Sequence, residues 1–395
     1  MTQAFLTKPS FMMNQHFSEN TFNSANDVKQ WISEEALKLG FADCGFISIQ
    51  HPLFAKQIQH LKAWLEKGYE GQLQFLHNNH ELREHPERLV EGAKTIISVR
   101  MDYLADPIKP RSIEDNLRPN HAIIARYARG RDYHKTMRGR LKQLAGRIEA
   151  QLPKWRHLDI SANCDFVFRP FSDSAPIFER AIADAAGLGW TGKHTLLLNK
   201  SAGSFFVLAE LFISLELPDD NPITPHCGSC QACLDVCPTQ AIVAPYEVNA
   251  RACISYLTIE HQGSIDIQYR RAIGNRIFGC DDCQLICPWN RYAAITPVED
   301  FLPRNGLDSS SLLELWYWSK DTFLKNTQGS PLRRTGFDNF LRNIAIALGN
   351  APASQEIINA LLSQKNTHGA MLDEHIDWAI TEQQQKAQQI LTTTL

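Results

Sequence analysis

The stretch that decides the fold is CGSCQACLDVCP (227–238), a C-x2-C-x2-C-x3-C-P run. A cubane iron–sulfur cluster needs four thiolates around a compact cage. These short spacers wrap three cysteines around one cluster while the fourth reaches a neighbouring cluster. Zinc sites usually show paired C-x2-C elements instead, so zinc is the weaker alternative. The run therefore predicts a bacterial ferredoxin-like module with two [4Fe-4S] clusters.

A second array, CDDCQLICP (280–288), has one cysteine fewer, because Ile277 stands where the first one would be. Cys253 is the obvious replacement. Exchange of the fourth ligands between the two arrays then predicts two sets. Cluster one takes Cys227, Cys230, Cys233 and Cys287, and cluster two takes Cys237, Cys253, Cys280 and Cys283.

The use of the cysteines as cluster ligands agrees with a reducing environment, where structural disulfides are not sustained. The two arrays and Cys253 use eight of the ten cysteines. Cys44 and Cys164, isolated in apolar surroundings, are predicted to be buried thiols. The chain has 395 residues, enough for two or three packed units. No apolar run is long enough for a bilayer, and the first residues lack the apolar centre of a signal peptide. We therefore expect a cytoplasmic protein without a membrane segment.

The residues before the arrays alternate helical and strand patterns, which predicts an α/β or α+β domain. Helices are expected at 26–39 and, with a basic outer face, at 138–152, and strands at 95–99 and 164–168. A further helix is expected at 173–187, because Ser172, Asp173 and Ser174 are cap formers and Pro176 suits a first turn. The glycine-rich turn at 187–194 either lets another molecule approach the backbone or is simply a tight turn.

The predicted domain boundaries follow the composition. The Pro-rich polar stretch at 218–225 separates a domain at 1–217 from the cysteine-rich module at 218–295. The remainder, 296–395, has helical periodicity, notably at 336–348 and 355–362, and resembles a short HEAT-like cap. Two clusters in series form an electron conduit. The long region before them predicts that this chain also carries the reaction that consumes the electrons.

Several motifs, taken together and in order, resemble the epoxyqueuosine reductase family. They are DSAP (173–176) with ER (179–180), GLGWTGK (187–193), HCGSCQACLDVCPTQAI (226–242), RACISYLTIEH (251–261), GNRIFGCDDCQ (274–284) and CPWN (287–290). The likeness covers roughly residues 25–350. It implies a cobalamin-dependent oxidoreductase that reduces epoxyqueuosine to queuosine at the wobble position of tRNA, the last step of queuosine biosynthesis. It further implies base-off cobalamin in the N-terminal domain with one cluster close to the corrin.

The resemblance also assigns a proton donor. The epoxide oxygen leaves as water, so an acid must act at the site. The family's aspartate at the strand end matches Asp173, whose alternative role is a plain helix cap. Asp132 is the competing acid. Its flanking arginines should lower its pKa and suit it to the cofactor pocket. His134 is more readily explained as a structural histidine.

The resemblance supplies the remaining cofactor contacts and the substrate contacts. The candidate cobalamin-binding residues are Arg83, Asp132, Asp173, Lys193, Leu197, Ser255, Asp281 and Asp282. A basic stretch at 109–156 has thirteen Lys and Arg against four Asp and Glu, which suits tRNA phosphates or, alternatively, a solvated helix face. The candidate tRNA-binding residues are Arg138, Arg140, His261, Arg333 and Arg334.

Two rival functions fit parts of the pattern. A cobalamin-dependent reductive dehalogenase shares the corrin and the two clusters, but typically carries paired arginines in an export signal, and no such signal is seen here. A non-catalytic ferredoxin-type carrier would need the clusters alone. For the preferred function we expect a monomer that receives electrons from an external ferredoxin- or flavodoxin-type donor.

Overall fold

The computed structural model describes residues 22–107, 118–160 and 165–393. Cys164 and the first part of the basic stretch lie outside the described residues. The strands are β1 (Asp43–Ser48), β2 (Thr95–Asp102), β3 (Ile123–Ile124), β4 (Phe168–Phe171), β5 (Trp190–Thr191), β6 (Leu197–Leu198), β7 (Phe206–Ile213), β8 (Ile242–Ala244), β9 (Glu247–Val248) and β10 (Arg276–Phe278).

The helices before the second cysteine array are α1 (Ala25–Lys38), α2 (Leu53–Glu66), α3 (His80–Glu84), α4 (Tyr133–Trp155), α5 (Glu179–Ala185), α6 (Ala232–Asp235), α7 (Ile254–Ile259) and α8 (Ile267–Ile273). The later ones are α9 (Asp282–Leu285), α10 (Leu312–Trp316), α11 (Lys320–Asn326), α12 (Phe337–Asn350), α13 (Gln355–Gln364) and α14 (Ala370–Thr393).

The N-terminal half is built on a four-stranded antiparallel sheet in the order β1-β2-β7-β4. The alternation of side chains along β2 sends Ile97 and Val99 to one face, with α1 and α4, and Ile96 to the other, with α2 and α5. Both faces are thus covered, and β2 is buried along its whole length. This mixed helix and sheet layering confirms the predicted fold class for this half.

Most of the predicted elements of this half are confirmed. The helix predicted at 26–39 is α1, which begins with a capping box between Ser24 and Asp27. The basic helix predicted at 138–152 lies within α4, whose Leu141 and Leu144 face the core. Cys44 lies in β1, and burial raises the pKa of its thiol to about 12, as expected for an inert cysteine.

The helix predicted to start at Asp173 is wrong. Helix α5 begins only at Glu179, and no side chain caps its first turn. The backbone at Asp173 is left-handed, with φ 55°, so the cap-forming residues make a turn rather than a helix start. The strand predicted at 164–168 begins instead at Phe168, where β4 pairs with β7.

The cysteine-rich module is joined to the rest by backbone pairing and by a shared core. Strand β10 lies parallel to β3, and Ile277, which replaces the missing cysteine, is fully buried there. Helix α12 is buried almost throughout and packs on α14 and α10. Its Arg342 donates to the carbonyl oxygens of Leu257, His261 and Gly263 in the module. The core therefore contains residues from both sides of the predicted boundary at 295.

No helix among the described residues is long and apolar enough to span a membrane.

Candidate active site

Three cavities lie where the N-terminal sheet, the cysteine-rich module and the C-terminal helices meet. The central cavity, of about 430 Å³, lies between β6, β7 and the second cysteine array. The entrance cavity, of about 710 Å³, lies between the start of α4, α7 and residues 328–334. The side cavity, of about 200 Å³, lies beside the first cysteine array.

The cysteines divide between two of these cavities as the predicted ligand sets do. The side cavity is lined by Cys227, Cys230, Cys233 and Cys287. The central cavity is lined by Cys237, Cys253, Cys280 and Cys283. No three His, Cys, Asp or Glu side chains within the described ranges form a group able to hold a single metal ion. The case for clusters therefore rests on the spacing of the cysteines and on this division.

The local fold explains how each array delivers its cysteines to two cavities. Helices α6 and α9 are single turns that each end just before the last cysteine of the run, and Pro238 and Pro288 then stop the helix. The last cysteine of each run, Cys237 or Cys287, therefore lines a different cavity from the earlier ones. The Ala241 amide donates to the Cys237 sulfur at 3.2 Å, a bond that also suits a cluster thiolate. Cys253 precedes the first turn of α7 and so faces the same cavity.

The remainder of the central cavity is mostly apolar, with walls from Leu197, Phe206, Val207 and Leu208. The glycines of the turn at 187–194 serve its own packing. A Cβ on Gly189 would lie 2.2 Å from the Leu198 carbonyl oxygen, and Gly187 has φ 76°. The alternative of a tight structural turn therefore accounts for these glycines.

His194, in the same turn, carries an unused hydrogen-bond donor. Its Nδ1 accepts from the Leu196 amide at 3.1 Å, so the ring proton belongs on Nε2. Burial lowers the pKa of His194 to about 4, which keeps the ring neutral. Nε2 is buried and has no partner among the described residues, and the side chain lines both the central and the side cavity. A buried N–H of this kind suits a bound group with acceptor atoms.

Asp281 and Asp282 line the central cavity, as predicted for cofactor contacts. Both are nearly fully buried, and each is paired with an arginine. Asp281 accepts from the amide and guanidinium of Arg126, at 2.9 and 3.1 Å, and Asp282 pairs with Arg276 at 2.6 Å. Such pairs fix the loop of the second array, so these carboxylates hold the loop backbone against the cavity.

Asp132, His134 and Asp173 form a chain of hydrogen bonds in the entrance cavity. Asp132 is the N-cap of α4 and accepts from the His134 amide at 3.1 Å. The His134 ring lies between the two carboxylates, with Nδ1 2.5 Å from Asp132 Oδ1 and Nε2 3.2 Å from Asp173 Oδ2. The Tyr133 hydroxyl donates to the same Asp173 oxygen at 3.0 Å. Two donors therefore converge on one carboxylate oxygen.

The two carboxylates beside His134 favour the protonated, positively charged form of its imidazole ring. Burial alone would lower the pKa of His134, but hydrogen bonds and charge from Asp132 and Asp173 outweigh it and raise the pKa to about 9. The pKa of Asp132 is lowered chiefly by its hydrogen bond to His134. The predicted direction for Asp132 is thus confirmed, but its cause is His134 and not the flanking arginines. Arg131 pairs instead with Asp300 at 3.2 Å.

The central and entrance cavities share a wall made of Tyr127, Tyr133 and Ser255. Ser255 is one of the predicted cofactor contacts, whereas neither tyrosine is among them. Asp173, His134 and Asp132 line only the entrance cavity, whereas Leu197 lines only the central one. Two bound molecules, one in the central cavity and one in the entrance cavity, would therefore meet at this wall, beside the Tyr133 hydroxyl.

Four of the eight predicted cofactor residues do not line the central cavity: Asp132 and Asp173, which line the entrance cavity, and Lys193 and Arg83. Lys193 lines the side cavity, where its ammonium donates to the carbonyl oxygens of Gly228 and Cys230 at 2.8 and 2.9 Å. Arg83 is buried with its guanidinium 3.5 Å from the Ile177 carbonyl oxygen and 6.0 Å from the Phe178 ring. Arg83 thus contacts the segment between Asp173 and α5.

The predicted tRNA residues are only partly brought together. Arg333 and Arg334 line the entrance cavity, with Arg334 paired to Glu260 at 2.9 Å. Arg138 donates to the Ser174 hydroxyl at 3.2 Å, next to Asp173. Arg140 instead donates to the Leu39 carbonyl oxygen and packs on Gly40, and His261 bonds Ser264 and lines none of the three cavities. Arg140 and His261 therefore do not line the entrance cavity.

Sequence reasoning assigned no individual role to Tyr127, Tyr133, Lys135 and Glu179, which line these cavities, and undervalued His134. A signal was available in the run Asp132-Tyr-His134, where three polar or aromatic groups begin a helix. Nothing in the sequence showed that this helix start faces the turn at Asp173.

Comparison with known proteins agrees with this geometry. Residues 226–290 match the family model "4Fe-4S double cluster binding domain", and residues 83–174 match "Epoxyqueuosine reductase QueG, DUF1730". Epoxyqueuosine reductase from Escherichia coli is 49% identical over 359 residues, 91% of this chain and 89% of that protein. The enzyme from Pseudomonas aeruginosa is 46% identical over 357 residues, 90% of this chain and 93% of that protein.

Solved structures of such enzymes share the fold. A crystal structure of epoxyqueuosine reductase with an epoxyqueuosine-modified tRNA stem loop superposes with a TM-score of 0.80, at 26% identity, over 91% of each chain. A structure from Bacillus subtilis, with its catalytic loop swung out of the active site, gives 0.77 at 27% identity over 91% of each chain.

Proposed function

Because this chain belongs to the epoxyqueuosine reductase family, we propose that it reduces epoxyqueuosine to queuosine at the wobble position of tRNA, with the cofactor in the central cavity and the modified nucleotide in the entrance cavity. The observation that carries this division is the shared wall of Tyr127, Tyr133 and Ser255. On one side of it are four cysteines, and on the other is the chain of Asp132, His134 and Asp173. Electrons would thus reach this wall from the cysteines of the central cavity, and protons would reach it from Asp173 in the entrance cavity.

The chain's residues suit two [4Fe-4S] clusters and cobalamin. Cluster one would be held by the cysteines of the side cavity and cluster two by those of the central cavity. The apolar walls and the unused His194 N–H suit a bound base-off cobalamin, whose ring would lie against Leu197, Ser255 and the loop of Asp281 and Asp282. When bound, cobalamin supplies the electrons for the epoxide.

The proton chemistry falls to Asp173. Reduction of the epoxide to the alkene of queuosine consumes two electrons and two protons and releases the oxygen as water. Asp173 is about half exposed towards the entrance cavity, where a substrate oxygen can reach it. Protonated His134, with its Nε2 3.2 Å away, holds the carboxyl group in place and can return a proton to it. Asp132 in turn orients the imidazole through Nδ1.

The tRNA would enter over a basic rim. Exposed Lys135, Arg333 and Arg334 line the entrance cavity, and Arg138 lies next to it on Ser174. Phosphate contacts of this kind supply sequence-independent affinity. The C-terminal helices would act as a HEAT-like cap that presents the two adjacent arginines. The splayed wobble base would then lie in the entrance cavity, as bases of single-stranded loops do in proteins that read them.

Electrons would enter from an external ferredoxin- or flavodoxin-type donor at the side cavity, where Cys230 is exposed, while the chain acts as a cytoplasmic monomer. Membership of this family does not support the two rival functions, a reductive dehalogenase and a non-catalytic carrier. Anaerobic purification with a metal count and an absorption spectrum tests the proposal. About eight iron and one cobalt per chain are expected, and cobalt-free protein that cannot bind added cobalamin would refute it.

A further inference from the structure

Two glutamates behind the turn at Asp173 have no place in the proposed chemistry, yet they are directly connected to it. Glu179, the first residue of α5, accepts a hydrogen bond from the backbone amide of Asp173 through Oε1. Glu210, in the middle of β7, is completely buried and interacts with the Glu179 carboxyl group. In the sheet register, Glu210 pairs with Ser98 on β2 and with Phe171 at the end of β4.

The turn that carries Asp173 needs such support. Asp173 has φ 55°, a left-handed conformation that Asp and Asn adopt more readily than other residues with a Cβ, usually where local hydrogen bonds support it. Its amide bond to Glu179 satisfies the backbone in this conformation. The carboxyl group, held by Tyr133 and His134, is then directed into the entrance cavity. The position of the acid therefore depends on the Glu179 carboxyl group.

The burial of Glu210 constrains the charge of the pair. No ion pair to Glu179 or Glu210 is formed within the described ranges, and Arg180 bonds Thr191 instead. Ser98 donates to Glu210 Oε1 at 3.2 Å, while Oε2 is buried without a partner there. Two interacting carboxylates, Glu210 fully buried and Glu179 half-buried, cannot both ionise at low cost. A proton on Glu210 removes the repulsion and supplies a donor towards Glu179.

We propose that Glu179 and Glu210 form a carboxyl pair that shares one proton and positions Asp173, with Glu210 bracing Glu179 from the sheet and Glu179 holding the Asp173 amide. This inference rests on the proposed role of Asp173. The charged groups that face the pair are Asp173 and His134. Burial and the charge of Asp173 raise the pKa of Glu179 to about 7, and burial raises that of Glu210 further. Glu179 lines the central cavity and Glu210 lines none of the three, but neither lines the entrance cavity, so both act on Asp173 as positioning residues.

The test compares Glu179→Leu with Glu179→Gln in the full-length enzyme loaded with clusters and cobalamin. The amide oxygen of glutamine can still accept from the Asp173 N–H, and its NH2 group can donate to Glu210, whereas leucine can do neither. Hydrogen exchange of residues 172–178 reports the position of the turn independently of activity. Turnover of chemically reduced enzyme on epoxyqueuosine-containing tRNA reports its effect.

Glu179→Leu should speed exchange at 172–178 and lower kcat by roughly 10²-fold with little change in KM. Glu179→Gln should stay close to wild type in both measurements. Glu210→Gln should do the same, because its side-chain NH2 group can always donate a hydrogen bond to Glu179. Unchanged exchange in Glu179→Leu, or equal damage from leucine and glutamine, would overturn the proposal. If wild-type enzyme failed to reduce epoxyqueuosine while the exchange pattern held, the proposed function would fail and the positioning pair would stand.

Discussion

His134 Nε2 lies 3.2 Å from Asp173 Oδ2, and this contact joins the first turn of α4 to the turn that follows β4. The two residues are 39 positions apart in sequence. Because the other imidazole nitrogen is held by Asp132, the ring cannot rotate away from Asp173 without losing a second bond. Asp173, the candidate acid, therefore belongs to a hydrogen-bond network whose other members can be replaced individually by mutation.

Replacement of His134 by Gln should reduce turnover by roughly 10²-fold, because Asp173 loses the cation that holds it and returns its proton. Cluster content and tRNA affinity should not change. The measurement is single-turnover reduction of epoxyqueuosine by chemically reduced enzyme. Wild-type turnover by this variant would show that His134 has only a structural role.

The same substitution should change how stability depends on pH. The pKa of His134 is raised from 6.5 to about 9, so the folded state binds the proton more tightly than the unfolded state. Its contribution to stability is fully present below pH 6.5 and is lost as the pH rises through about 9. The gap in melting temperature between wild type and His134→Gln should therefore shrink across this window. His60→Gln, at an exposed position on α2, is the control for replacing a histidine away from this site.

Replacement of Cys253 by Ala should damage cluster two and leave cluster one largely intact, because Cys253 lines the central cavity with the other three cysteines of that set. Iron content should fall towards half. EPR spectra of the reduced protein should lose the signal of one cluster. A full iron count with an unchanged spectrum would mean that another residue completes the site.

Reversal of charge at Arg138 to Glu should weaken tRNA binding and flatten its salt dependence, since one phosphate contact is lost. Lys142→Glu is the matched control, because it makes the same change on an exposed position of α4 one turn further from Asp173. Binding is measured by fluorescence anisotropy at several salt concentrations. Equal losses in the two variants would indicate a general charge effect and not a contact at the entrance cavity.

Sequence reasoning identified what local patterns encode. The spacing of the arrays predicted the two cysteine sets that now line separate cavities, and amphipathic periodicity predicted α1 and α4. It failed at 172–178, because cap-forming residues stabilise turns as readily as helix starts, and here tertiary contacts favour the turn. It also missed Glu210, which looks like one polar residue in a strand until the sheet register brings it behind Glu179.

The sequence also could not predict which arginines of α4 lie near Asp173. Arg138 and Arg140 are two residues apart on α4, and the basic pattern treats them alike. Their directions differ by about 200° around the helix, so one meets Ser174 beside Asp173 and the other meets the end of α1. Only the packing of α4 decides which of them lies beside Asp173.

The central claim is that Asp173 is the acid that lets the epoxide oxygen leave, and turnover by Asp173→Asn tests it most directly. Asparagine tolerates the left-handed backbone and can still accept from Tyr133 or His134, so the variant should fold and bind both clusters, cobalamin and tRNA. With chemically reduced enzyme, turnover should fall by roughly 10²–10⁴-fold, the usual worth of a positioned general acid. Near-normal turnover, with cofactor content unchanged, would contradict the account.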